Sequence, residues 1–173
     1  MSLMLHPPAG WTNQPIVIYH GTTEVHVDSI LRSGVRIGSG RLGRDFGPGF
    51  YTTTVREQAD YWAWHLARDT EGARPAVLEI TLDRVGLGRL ETLAFVRGER
   101  AAEDFWSLVA HCRSGAKDHG RRSRNAYYDV VIGPVAAFWQ QRVSMLGADQ
   151  ISFHTGKAQR LLNSRRTQRR RVW

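Results

Sequence analysis

The chain has 173 residues, 42% of them hydrophobic, with six Trp and a single Cys. That length and composition fit one packed domain and exclude a disordered segment, and a lone thiol excludes an internal disulfide and favours a reducing compartment. The net charge of +8 is uneven: residues 1–110 carry eleven Lys/Arg against thirteen Asp/Glu, and residues 111–173 thirteen against three, so a nearly balanced body bears basic appendages suited to a polyanion.

The opening stretch "MSLMLHPPAGW" lacks the charged start and long apolar run of a secretion signal, and no segment is long enough to span a bilayer. This reads as a soluble, cytoplasmic chain with no membrane partner, with export by a signal-independent route left open. "PIVIYHG" (15–21) is an apolar, β-branched run closed by Gly, a buried strand. "TEVHVDSILRSG" (23–34) follows as a helix with Val27, Ile30 and Leu31 on one face and Gly34 as its stop. Residues 35–49 hold five glycines, too many for regular structure and well suited to close approach of backbone to a ligand.

"GFYTTT" (49–54) reads as a strand, and residues 55–69 as a helix with Ala59, Trp62, Ala63 and Leu66 on its apolar face. "PAVLEITL" (75–82) and "RLETLAF" (89–95) read as strands, and 99–112 as a helix carrying Phe105, Leu108 and Val109, with Cys112 a buried, inert thiol. A basic loop spans 113–125. A strand core at Asp129–Ile132 ends at Gly133-Pro134, 137–146 reads as a helix, and "DQISFHT" (149–155) as a strand leading to a short helix, with His154 facing solvent. The whole predicts an α+β fold with a split, mainly antiparallel β core flanked by helices, one domain over residues 1–164, and a basic, unstructured tail over 165–173.

Several chemistries are excluded. Seven histidines form no HExxH pair, and no second Cys completes a thiolate site, so no metal is expected. "GSGRLG" (38–43) matches the letters of a dinucleotide fingerprint but precedes a strand instead of opening a helix. There is neither a GxSxG elbow nor a phosphate-loop lysine.

Three segments remain: "YHGT" at 19–22, "GRDFGPGFYTTT" at 43–54 and "DQISFHTGKA" at 149–158. As an ordered set, in pieces from Ile18 to about Leu162, they resemble the ADP-ribosyltransferase superfamily in its diphtheria-toxin and PARP-like branch. More narrowly, together with "QADYWA" (58–63) and "YDVVIGPVA" (128–136), they resemble a small bacterial family of unknown target. The resemblance implies NAD⁺ as substrate, bound between the two halves of a split sheet, with His20, Tyr51 and Gln150 as catalytic positions. It implies contacts to NAD⁺ from His20, Gly21, Thr22, Arg44, Asp45, Phe46, Gly49, Tyr51 and Trp62. His20 would bond a ribose, the Gly21 backbone would hold the nicotinamide amide, and Tyr51 would stack on the cationic ring, a contact of about 0.5–2 kcal/mol. The glycine-rich loop, with Arg41, Arg44, Asp45 and Phe46, would cover the dinucleotide. Trp62 falls where relatives can place a second aromatic, although its spacing with Ala59, Ala63 and Leu66 favours core packing.

One departure stands out. Relatives usually carry Glu where this chain has Asp149-Gln150. Gln150 takes the Glu position; its amide can orient a ribose hydroxyl but brings no charge, whereas Asp149 would need a shift of one residue, which alternation turns to the other face. The resemblance implies mono-ADP-ribosyl transfer by a bacterial toxin or effector to a protein or nucleic acid, with an antitoxin or immunity protein as partner. The basic loop 113–125 and the tail would touch a polyanion. NAD⁺ hydrolysis, and a non-catalytic binder of NAD⁺ or nucleic acid, stay open as alternatives.

Overall fold

The computed structural model describes residues 15–38, 42–96, 99–120 and 126–172. The β-branched run at the start forms strand β1 (Ile16–Thr23), and Thr23 passes directly into helix α1 (Glu24–Ser33), whose Val27 is fully buried. After the glycine-rich stretch come β2 (Phe50–Thr52), α2 (Arg56–Arg68) and β3 (Pro75–Leu82). A one-turn helix α3 (Arg84–Leu87), β4 (Thr92–Ala94) and α4 (Glu99–Arg113) lead to the long pair β5 (Val130–Phe138) and β6 (Val143–Phe153). Helix α5 (Gly156–Leu162) and strand β7 (Gln168–Arg171) complete the fold.

Two sheets result. The first has the order β1-β3-β7, antiparallel throughout; the second has the order β2-β6-β5-β4, with only β4–β5 parallel. Among the described residues one backbone bridge links them, in which Tyr19 and Thr53 exchange both hydrogen bonds, at 2.8 and 2.9 Å. The architecture is therefore the α+β, split and mainly antiparallel core that the sequence predicts.

Apolar alternation fills the space between and around the sheets. Ile18, Leu78 and Ile80 of the first sheet face Phe50, Val130, Ile151 and Phe153 of the second, with α1 and α5 closing that layer. On the other face of the second sheet, α4 packs Phe105, Val109 and Cys112 against Val131 and Phe46. On the outer face of the first sheet, α2 lays Ala59 and Ala63 against Val77.

The structure corrects several expectations. The tail is not a free appendage. Gln168–Arg171 pairs with β3, and its arginines serve neighbours within the chain: Arg170 meets Glu79 at 2.7 Å, Arg171 meets Glu24 at 2.7 Å and also Asp28, and Arg169 donates to the Asn163 side chain. Residues 137–146 are not a helix but the turn of a hairpin, with one 3-10 turn at Trp139–Gln141 between β5 and β6. Gly133-Pro134 lies within β5 instead of ending it. On α2, Ala59, Ala63 and Ala67 are buried while Trp62 and Leu66 are each 43% exposed, so the small residues carry the packing face. His154 is buried. Arg41 and the basic core of the 113–125 loop, residues 121–125, lie outside the described residues. Cys112 is buried as expected, and burial pushes its thiol up to about 12, where it stays protonated and inert.

Candidate active site

β1 carries His20 and Gly21 along the edge that faces the second sheet. Tyr19 turns its N–H and C=O toward Thr53. Backbone groups two residues apart in a strand point the same way. Gly21 therefore aims its N–H and C=O past the end of the Tyr19–Thr53 bridge. Its opposite number, Val77, faces away, its carbonyl accepting the Val172 N–H at 3.0 Å. No backbone group among the described residues meets the Gly21 pair on the open side. The residue is glycine for a steric reason as well: a Cβ here would stand 2.0 Å from the Ala59 carbonyl oxygen of α2.

His20 is half-buried, and its ring leans on Phe50 with centroids 4.3 Å apart. Nδ1 lies 2.6 Å from the Tyr51 carbonyl oxygen; a carbonyl only accepts, so Nδ1 carries the proton. Burial, against the opposing pull of that hydrogen bond, holds the imidazole below its ordinary pKa and hence neutral. Nε2 is then a lone-pair acceptor. It has no partner among the described residues, and no fully buried side-chain nitrogen or oxygen there lacks one, so Nε2 is not fully buried.

Tyr51 and Gln150 stand on one face of the second sheet, because Tyr51 pairs with Ser152 and Gln150 lies two residues along β6. Both reach into the loop at 45–48. The Tyr51 hydroxyl accepts the Phe46 N–H at 3.0 Å and donates to the Gly47 carbonyl at 2.6 Å, and burial raises the phenol far above its usual range. Gln150 donates through Nε2 to Asp45 at 2.7 Å and to the Pro134 carbonyl at 2.9 Å. The side chain of His20 does not join this face; it touches Tyr51 only at the main chain.

Two histidines that sequence reasoning set aside complete the loop's support. His119 takes the Tyr128 N–H on Nδ1 at 3.0 Å, so Nε2 is its donor, to the Phe46 carbonyl at 2.9 Å. His154 donates from Nδ1 to the Pro48 carbonyl at 2.8 Å, and its Nε2 accepts the Ser152 hydroxyl at 2.8 Å. Three consecutive carbonyls, of Phe46, Gly47 and Pro48, are thus each held by a ring side chain. Nothing local in the sequence signals this, since the holders come from residues 51, 119 and 154.

The other expected site residues fall as follows. Asp45 and Phe46 are interior, so the loop does not offer them to a ligand in this conformation; Arg44 is exposed. Thr22 is buried on β1. At Gly49 a Cβ would press at 2.8 Å on the His154 ring and the Phe153 carbonyl. Asp149 is on the face opposite Gln150, where its carboxylate takes Thr53 and Thr54 hydroxyls and the Thr54 N–H. Trp62 projects from α2 one residue before Ala63, whose backbone nitrogen lies under Gly21. A cavity of about 410 Å³ opens at the far end of the first sheet, between Pro15, Asp83 and Arg166, and adjoins none of His20, Tyr51 or Gln150.

The chain belongs to a family of proteins of unknown function (DUF3990), whose model matches residues 16–140. That span holds His20, Gly21 and Tyr51 and ends before Gln150. A comparison with curated proteins finds no match. Among the described residues no helix is long and apolar enough to cross a membrane.

Proposed function

We propose that this protein binds NAD⁺ at the junction of its two sheets and transfers one ADP-ribose to a macromolecular acceptor, a protein or a nucleic acid. The observation that carries the reading is the unpaired donor–acceptor couple of Gly21 at the split, beside a neutral His20. A primary carboxamide matches such a couple, donating to the C=O and accepting from the N–H. His20 Nε2 suits a ribose hydroxyl. Tyr51, half-buried on β2 with its main-chain carbonyl against His20, would supply a flat face for a pyridinium.

In the reaction the bond between the nicotinamide nitrogen and the ribose anomeric carbon breaks. Its electron pair leaves with nicotinamide, which becomes neutral. Positive charge then gathers on the ribose until an acceptor atom supplies a new pair and loses a proton. The protein's part is to hold both sides in place and favour that cation.

A second reading, a binder of NAD⁺ without chemistry, draws on one feature: Asp149 is engaged by Thr53 and Thr54, and Asp45 sits behind Gln150, so neither carboxylate stands free for the ribose cation. The test is incubation of purified protein with NAD⁺ labelled in the adenylate, alone and in a cell lysate, with His20→Ala as control. Labelled macromolecule together with free nicotinamide, both lost in the variant, is the expected result. Nicotinamide without adduct means hydrolysis, and binding without nicotinamide means the second reading.

A further inference from the structure

Asp45 is 4% exposed, yet its two oxygens take four hydrogen bonds from three elements. Oδ1 accepts Arg113 Nε at 2.8 Å and Nη2 at 2.5 Å. Oδ2 accepts the Ala136 N–H at 2.9 Å and Gln150 Nε2 at 2.7 Å. The second Gln150 N–H goes to the Pro134 carbonyl, so both of its amide protons face acceptors and the amide can sit only one way round. Its Oε1 has no partner among the described residues, and by the same reasoning as for His20 Nε2 it is not fully buried.

The environment at position 150 thus requires a donor of two protons. A carboxylate there would set a second negative charge against the buried oxygen of Asp45 and against a carbonyl, with no proton between them. Arg113, bound to Asp45 through two nitrogens, offsets only one of the two negative charges.

We propose that Asp45 is the positioning residue for Gln150: it selects an amide over a carboxylate at this place on β6 and turns the amide oxygen toward the ligand. The nature of that ligand, a ribose hydroxyl of NAD⁺, rests on the function proposed above; the pairing itself does not. The uncharged amide at a position where a carboxylate is expected is then a matched partner of Asp45 and not a degraded acid.

The test is Gln150→Glu, compared with wild type at the same pH, with Gln150→Leu as the uncharged variant that also lacks donors. Besides Arg113 of α4, which binds Asp45, the titratable groups that feel Asp45 are Cys112 of α4 and Tyr51 of β2; residues 134–136 of β5 bring no charge. At about pH 7.5 the Glu variant is expected to melt roughly 5–10 °C below wild type. Near about pH 5 the gap should narrow without closing, as the introduced carboxylate takes up one proton and donates it to Asp45 while the Pro134 carbonyl stays without its donor. The Leu variant should keep the same deficit at both pH values. In wild-type protein, the Gln150 side-chain amide protons should also exchange slowly with solvent, a measurement that needs no variant to fold.

A Glu variant as stable as wild type at about pH 7.5, a deficit that does not shrink on acidification, or freely exchanging amide protons would each overturn the assignment. So would a rise in nicotinamide release on Gln150→Glu. Failure of wild type to bind NAD⁺ removes only the ligand, and leaves the melting pattern as the test of the pair.

Discussion

Gly21 lies so close beneath Ala59 that a single methyl on its Cα would stand 2.0 Å from the Ala59 carbonyl oxygen and 3.0 Å from the Ala63 nitrogen. Helix α2 and strand β1 can approach this closely because one contributes a stripe of alanines and the other no side chain at all. The helix backbone therefore roofs the place where the Gly21 N–H and C=O emerge. Side chain and main chain of one residue are fixed by opposite needs, tight packing on one side and open polarity on the other.

The open couple at Gly21 should distinguish a carboxamide from a carboxylate. The acid analogue of NAD⁺, with nicotinic acid in place of nicotinamide, offers no proton to the carbonyl and turns a charge toward it. Its dissociation constant, measured by calorimetry, is expected to be at least about tenfold higher than that of NAD⁺. Equal affinities would remove Gly21 from the binding role.

Acid should loosen the 45–48 loop through His154. Burial, with a smaller contribution from neighbouring His119, depresses its pKa to about 3 from the ordinary 6.5. The unfolded chain takes up a proton below about 6.5 while the folded one does not, so this contribution is complete above 6.5 and is lost as pH falls toward 3. Between about pH 6.5 and 5 the loss is about 2 kcal/mol. Urea titrations of wild type and His154→Asn at these two pH values should show the wild type losing more; parallel losses would contradict it.

The arginines of β7 should matter for stability. Removal of residues 168–173 opens the edge of β3 and leaves Glu79, Glu24 and Asp28 without their partners. The shortened chain is expected to melt roughly 4–8 °C lower, and added salt should narrow the difference. An unchanged melting temperature would mean that the strand is not docked in solution.

Much of the fold is legible where the pattern is local. The limits of β3 can be read from "PAVLEITL" because Ala76, Leu78, Ile80 and Leu82 alternate and pack on one core face. The α2 helix is equally plain in its length but not in its face. Trp62 and Leu66 are the hydrophobic choice by size, yet the approach to Gly21 admits only alanine, and that constraint comes from another strand. β7 is invisible for a similar reason: "QRRR" has no apolar alternation, and what holds it are acids in β3 and α1 that no window of sequence contains. Of the candidate site, the order of His20, Gly21, Tyr51 and Gln150 along the chain is legible in the sequence; that the His20 side chain stands apart from the face shared by Tyr51 and Gln150 is not. The roles of His119 and Asp45 could not, because each is defined by hydrogen bonds spanning 73 and 105 positions.

The second sheet has a consequence for how the chain reaches this state. Phe50 pairs with Phe153, so β2 lacks its β6 partner until roughly three-fifths of the polypeptide has been gathered into one closed loop. Pairings of such range are slow to find, placing assembly in the millisecond-to-second regime rather than microseconds. The β2–β6 pairing is consequently among the last features to mature, and refolding followed at the β2 amides should lag behind that of helices α1 and α2.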